Sequence, residues 1–250
     1  MAESALALRE HPQIIELLSV LEQNSLSKQK EEVQALVGYI DGMEEKLSQM
    51  MEELKAMRLE VEKLHDKGIR ARCAQLVDTV EGKVRQTKVM VSTAKENLIS
   101  SAKQMVQTFR EKGRSALCHA AQALRIPSVL SRMGRGFAHA EKSMGQLAVR
   151  LDAMREELHQ AGDHIKNAGF ALAGKEPQKS KELSADKGVL AKLRSFVLYC
   201  GKAFSEMDRD TALTVERING GRSSVKTELQ GLKSAQTGQR RQAASKEQAR

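Results

Sequence analysis

The chain has 250 residues, of which only 3% are aromatic and none is Trp, so a thick globular core is not expected. Its three cysteines form no CxxC pair, which excludes a disulfide framework and a thiolate metal site as sequence-based predictions. The net charge of +9 is unevenly spread: residues 1–66 carry 7 Lys and Arg against 14 Asp and Glu, whereas residues 67–135 carry 14 against 4. We therefore expect an acidic arm and a basic middle that attract one another within or between chains.

Residues 1–26 predict a short helix and no targeting segment. Pro12 suits the first turn of a helix, and Asn24 and Ser25 close it. Between them lies an apolar stripe of Ile14, Leu17, Leu18 and Leu21. The start has no basic stretch followed by an apolar run, and no segment approaches the roughly 18 apolar residues of a membrane span. We therefore expect a cytoplasmic protein.

Residues 27–67 carry an acidic heptad pattern. Apolar side chains recur at alternating steps of three and four without a miss, which is typical of a coiled-coil seam. The predicted first seam consists of Val33, Leu36, Ile40, Met43, Leu47, Met50, Leu54, Met57, Val61 and Leu64. A stripe this narrow has to be covered by another helix.

Residues 68–135 form the basic helical middle, which follows a break at residues 65–68. Its apolar positions include consecutive steps of four, and the resulting eleven-residue period suits a nearly straight helix. Gly113 and Pro127 interrupt helices for different backbone reasons and bracket a short helix from Ala116 to Leu124.

Residues 136–170 restore the heptad. The predicted second seam begins with Phe137 and Ala140 and continues through Met144, Leu147, Leu151, Met154, Leu158, Ala161 and Ile165. We expect a flexible linker over 171–187, a last helix over 188–218 and a disordered basic tail over 219–250. The predicted fold class is all-α: long coiled-coil-forming helices in an elongated hairpin or bundle with a disordered C-terminal tail.

Catalytic and ligand-binding motifs are missing. Gly134 and Gly136 have no preceding strand, so they do not make a dinucleotide fingerprint. His159 and His164 lie five residues apart, which on a helix directs them away from a common metal ion. We therefore expect no enzyme activity, no cofactor, no metal and no small-molecule substrate.

Association and anion contact are the functions that the pattern favours. The two seams predict a homo-oligomer, a protein partner or intramolecular helix pairing. The candidate anion contacts are Lys83, Arg85, Lys88, Lys95, Lys103, Arg110, Lys112 and Arg114. These cations could face the acidic arm or a partner, a nucleic acid, or an anionic membrane surface that receives the eleven-residue amphipathic repeat. Against nucleic acid, Phe109 is the one aromatic side chain there that could stack on a base.

Five segments in chain order carry a family resemblance: HPQIIELLSVLEQN (11–24), VQALVGYIDGMEEKL (33–47), EVEKLHDKGIRA (60–71), FREKGRSAL (109–117) and FALAGKE (170–176). They resemble an uncharacterised bacterial family of the Firmicutes, a domain of unknown function often found on conjugative or other mobile elements. The resemblance implies a helical accessory protein of mobile DNA. The resemblance does not imply a catalytic or ligand-binding role for any residue of this sequence.

Overall fold

The protein is described here by a computed structural model. The backbone is described for residues 6–124, 126–176 and 188–247, and the side chains of these residues for all except 122, 123 and 219–247. Within these ranges every regular element is helical. A 3₁₀ turn at Leu8–Glu10 precedes α1 (Pro12–Gln23), α2 (Ser27–Glu62), α3 (Lys67–Ala123), α4 (Ile126–Leu172) and α5 (Val189–Glu247). The predicted all-α fold class is confirmed.

The breaks between the first helices follow from local hydrogen bonding. His11 begins α1, and its Nδ1 accepts the N–H of Gln13 at 3.4 Å. Asp66 begins α3, because its Oδ1 accepts the N–H of Ile69 at 2.8 Å and so satisfies a backbone donor of the first turn. Since α2 ends at Glu62, the chain reverses direction within a few residues.

The middle of the chain differs from the predicted segments at two places. Gly113 lies inside α3 with a φ of 76° and a ψ of −167°, so α3 is two helical pieces joined at a kink. The next helix, α4, begins at Ile126 rather than at residue 136. Pro127 is its second residue, a position where the missing N–H would have no helical acceptor. As a result Arg132 and Arg135 belong to α4 and not to the basic middle.

Neighbouring long helices run antiparallel. Lys95 of α3 bonds to Glu44 of α2, whereas Asp78 near the start of α3 lies 2.5 Å from Arg58 near the end of α2. The most extensive contact is between α4 and α5. There, Gly134 approaches Thr211 so closely that an added Cβ would lie 3.2 Å from the Thr211 Cγ2 atom. The lack of a side chain at this glycine allows close helix packing.

One continuous hydrophobic core runs between the helices. Tyr39 of α2 is half-buried against this core and reaches α5, where its hydroxyl donates to the Met207 carbonyl oxygen at 2.7 Å and contacts the Thr211 hydroxyl. Burial raises the pKa of Tyr39 well above that of a free tyrosine. The phenol therefore stays protonated and keeps its hydrogen bond to α5.

Most of the predicted linker lies outside the described residues, and only the backbone is described for most of the predicted tail. Residues 177–187 of the predicted linker lie outside the described residues. The backbone of α5 is helical as far as Glu247, and Ile218, 4% exposed, is its last buried side chain among those described. The disorder expected for residues 219–250 stays a prediction.

Candidate interaction surfaces

The first seam lies inside the chain. Nine of its ten residues, from Val33 to Val61, are buried, and Leu64 at the end is half-buried. The covering helices are α1, α3 and α5 of the same chain. This seam is therefore occupied and does not present a surface to a second molecule.

The second seam is covered along only part of its length. Its residues from Phe137 to Met154 are buried against α5, and Leu158 is half-buried. Ile165, one heptad further on, is 75% exposed, and Leu172 after another seven residues is 92% exposed. The apolar stripe thus continues beyond the helix that covers it. Leu172 was not among the predicted seam residues, although the seven-residue spacing would have found it.

The end of α4 projects past the described ends of its neighbouring helices. Arg194 of α5 donates from Nε to the Asp152 Oδ1 atom of α4 at 2.5 Å, and this bond raises the pKa of Arg194. From this level α5 extends back only five residues to Val189, whereas α4 extends twenty residues to Leu172. At 1.5 Å per residue, α4 therefore projects about 22 Å beyond the first turn of α5.

Helix α2 stops at the same level as α5. Lys192 bonds to Glu60 at 2.8 Å, only two residues before α2 ends at Glu62. Lys192 and Lys63 together lower the pKa of the Glu60 carboxyl to about 2 through hydrogen bonds and charge attraction. We refer to residues 156–172, which lie past this level, as the α4 end.

The surface of the α4 end combines apolar, small and charged residues. Leu158, Ile165 and Leu172 share one stripe, because residues seven apart lie on the same side of a helix. Two alanines sit between them at the alternate seam position, Ala161 and Ala168, and both are exposed. The acidic residues Glu156 and Glu157 precede the stripe, and the basic residue Lys166 lies in its second half.

The candidate cations differ in burial and in pairing. The Lys95 side chain is only 4% exposed and bonds to Glu44 at 2.7 Å, so it is not on the surface that a phosphate backbone could reach. Arg110 pairs with Glu16 of α1. Both ion pairs link the basic middle to the acidic arm within one chain.

The remaining candidates do not form one cluster. Arg85 pairs with Glu81 of its own helix at 2.5 Å. The Lys83 Nζ atom lies 3.5 Å from the His139 Nε2 atom of α4. Four further cations are exposed along the length of α3: Lys88, Lys103, Lys112 and Arg114. Six of the eight predicted side chains are therefore exposed to solvent, and four of these six form no ion pair with a described residue.

An apolar groove opens where α2, α3 and the start of α4 meet. Its volume is about 250 Å³, and its walls include Leu36 of α2, Leu98 of α3 and Met133 of α4. Polar residues lie only along its edge, namely Thr93, Asn97, Ser101 and Arg132. Neither this groove nor a role for Arg132 in it was predicted from the sequence.

Among the described side chains no metal-ligand cluster occurs, and two of the three cysteines are buried. No group of three or more His, Cys, Asp and Glu residues there could hold a metal ion. His159 pairs with Asp163 at 3.3 Å on its own helix. Burial raises the pKa of Cys73, and burial together with Glu53 raises the pKa of Cys200 to about 12, so both thiols stay protonated. None of the described helices contains a stretch apolar and long enough to cross a lipid bilayer.

Comparison with known proteins gives a family but no function. No curated protein and no solved structure matches the chain. One family model matches residues 10–250, which is nearly the whole sequence and includes all five helices. The chain therefore belongs to the family of unknown function DUF6674.

Proposed function

We propose that this protein is a non-enzymatic helical interaction protein that associates with a second copy of itself through the α4 end. The observation that carries the proposal is the exposure of Ile165 (75%) and Leu172 (92%) on a stripe that is buried elsewhere in the chain. Removing one large aliphatic side chain from water contributes roughly 1.5–3 kcal/mol. A partner helix on this stripe would therefore be held by its contacts with Ile165 and Leu172 and with the exposed part of the Leu158 side chain.

A second copy is the partner that best fits the charges. In an antiparallel pair centred near Ile165, Leu158 of each copy faces Leu172 of the other. The acidic residues Glu156 and Glu157 of one copy then approach the half of the other copy that contains Lys166. Ala161 and Gly162 of one copy then lie opposite Gly169 and Ala168 of the other, and these small residues allow the two backbones to approach closely. A parallel pair would instead bring like charges together.

The proposal is tested by measuring association of the full chain by sedimentation equilibrium. We expect the protein to dimerise, and we expect Ile165→Asp to weaken dimerisation at least tenfold, because it sets a charge into the apolar interface. Val149→Asp is the matched control, since Val149 is 69% exposed on the same helix but outside the seam. A chain that is monomeric at every concentration, or equal effects of the two substitutions, would contradict self-association.

Nucleic acid and membrane binding are weaker alternatives. Of the eight candidate cations, Lys95 is buried against the acidic arm, and Arg110 and Arg85 are ion-paired at the surface with Glu16 and Glu81. The apolar positions of the eleven-residue repeat, such as Val84 and Val91, are buried in the core. A lipid surface could reach them only after α3 had left the bundle.

We further propose a biological setting, that of a cytoplasmic accessory protein of a bacterial conjugative or other mobile element. Support comes from the five segments whose resemblance is described above, and membership of the family adds no activity of its own. Genes of a transfer apparatus beside the genes of several family members would support this setting. Genes for cell-envelope synthesis in those positions would count against it.

A further inference from the structure

We propose that the groove between α2, α3 and α4 is a binding site for a small aliphatic carboxylate, with Arg132 as the residue that binds the carboxyl group. The site is independent of the proposed self-association, because it lies at the start of α4 and the association surface lies at the other end of that helix. The proposed molecule is a bound ligand, not a substrate.

The walls of the groove are apolar and come from separate helices. Ala94 and Leu98 of α3, Ile126 and Met133 of α4, and Leu36 of α2 are buried side chains of the core that also line the groove. Because they belong to three packed helices, the walls are formed before any ligand arrives. Concave apolar surfaces with a few polar groups at their edge are the usual form of small-molecule sites.

The described edge of the groove presents hydrogen-bond donors. Thr93, Asn97 and Arg132 are exposed, and Ser101 is half-buried. The Thr93 hydroxyl already bonds to the carbonyl oxygen of Val89. Arg132 forms no ion pair with any described residue, so its guanidinium is free to bind a carboxylate through two parallel N–H bonds. No Asp or Glu is among the described residues that line the groove, and an ammonium ligand would meet Arg132 as a like charge.

The volume of the groove limits the length of the ligand. An apolar cavity of about 150 Å³ accepts a molecule of benzene size. A groove of about 250 Å³ therefore suits an aliphatic chain of roughly eight to ten carbons, which can lie on the apolar walls while its carboxylate stays at the exposed edge. A helix from a partner protein would be too wide for this space.

The test is calorimetric titration of the full chain with decanoate, decanol and decylamine, each below the concentration at which it aggregates. We expect decanoate to bind with one molecule per chain and at least tenfold more tightly than decanol or decylamine. Arg132→Gln should weaken decanoate binding about tenfold or more, because a charge-assisted hydrogen bond is lost. Arg135→Gln is the control, since Arg135 is exposed on the same helix and does not line the groove.

The outcomes separate the parts of the proposal. Absence of decanoate binding would overturn the site itself. Equal binding of decanoate and decanol, or unchanged binding in Arg132→Gln, would overturn the role of the guanidinium. Thermal unfolding of both variants shows whether the fold is kept, and Ser101→Phe, which places a ring at the edge of the groove, should abolish binding without removing the charge. If Ser101→Phe is folded and still binds decanoate, the ligand lies elsewhere and the proposal fails.

Discussion

Asp41 attaches the N-terminal segment to the bundle. The residue is 5% exposed, and its carboxylate accepts the N–H of Leu8 at 2.7 Å and the N–H of Arg9 at 3.1 Å. These two donors open the 3₁₀ turn and have no partner within it, as is usual at the start of a helix. Because Leu8 is fully buried beside them, the same acid also holds a core side chain in place.

We expect Asp41→Ala to lower the free energy of unfolding by about 1–3 kcal/mol, because two backbone donors lose their acceptor in a buried place. Urea unfolding of the full chain measures this loss. Asp78→Ala is the matched comparison: Asp78 is an exposed acid paired with Arg58, and breaking such a surface pair costs at most about 1 kcal/mol. Equal losses in the two variants would show that Asp41 is no more than another surface acid.

Single buried charges could not be identified from the sequence. Asp41 stands among acidic residues between two seam positions, where a solvent-exposed side chain is expected. Lys95 follows the buried Ala94 and belongs to a basic stretch, and yet Glu44 covers it. Charge patterning predicts that two segments attract each other, but it does not say which side chains are covered when they meet.

Helix α3 contains a turn that depends on one glycine. Gly113 has a φ of 76° and a ψ of −167°, a backbone conformation that residues with a Cβ rarely adopt. It separates the long first piece of α3 from the short piece that leads to Leu124. The kink therefore sets the direction in which the chain approaches α4.

Gly113→Ala and Gly82→Ala should change stability in opposite directions. Neither new Cβ would meet another atom within 4 Å, so only the backbone conformation differs between the two sites. Gly113→Ala should lower the free energy of unfolding by about 1–3 kcal/mol through strain. Gly82→Ala should raise it by about 0.5–1 kcal/mol, because Gly82 lies in a regular part of the same helix. Shifts of the same sign in urea unfolding would contradict the kink.

At the level of helices, the apolar periodicity predicted which seam residues are buried better than it predicted which helix packs over them. The first seam is buried as its spacing indicates, but a heptad looks the same whether its cover is a helix of the same chain or of another. For the second seam, Ile165 is exposed within one chain because α5 begins only at Val189. The start of α4 was placed too late, since Pro127 was interpreted as a break and not as a first-turn residue.

The two ends of the whole molecule differ. At one end α2, α3 and α5 stop or start at about the same level, and among the described helices only α4 continues past them. At the other end α5 runs on beyond Ile218. A dimer joined through the α4 end is therefore lengthened along the bundle axis.

Small-angle X-ray scattering of the associated protein should show this lengthening. We expect the maximum dimension to increase on dimerisation while the cross-sectional radius of gyration stays near that of the Ile165→Asp monomer. The reason is that contact is confined to the last turns of one helix. A dimer that thickens without lengthening would place the interface on the sides of the bundle, and the α4 end would then not be the contact.

Cys73 of α3 and Cys200 of α5 lie fully inside the molecule as protonated thiols, whereas Cys118 is partly accessible. The rates at which the three cysteines are labelled therefore report how the helices separate. A thiol reagent in solution should react first with the partly accessible Cys118. It can reach Cys73 or Cys200 only after α3 or α5 has separated from its neighbours. The delay between the labelling of Cys118 and that of Cys73 or Cys200 measures how often α3 or α5 opens.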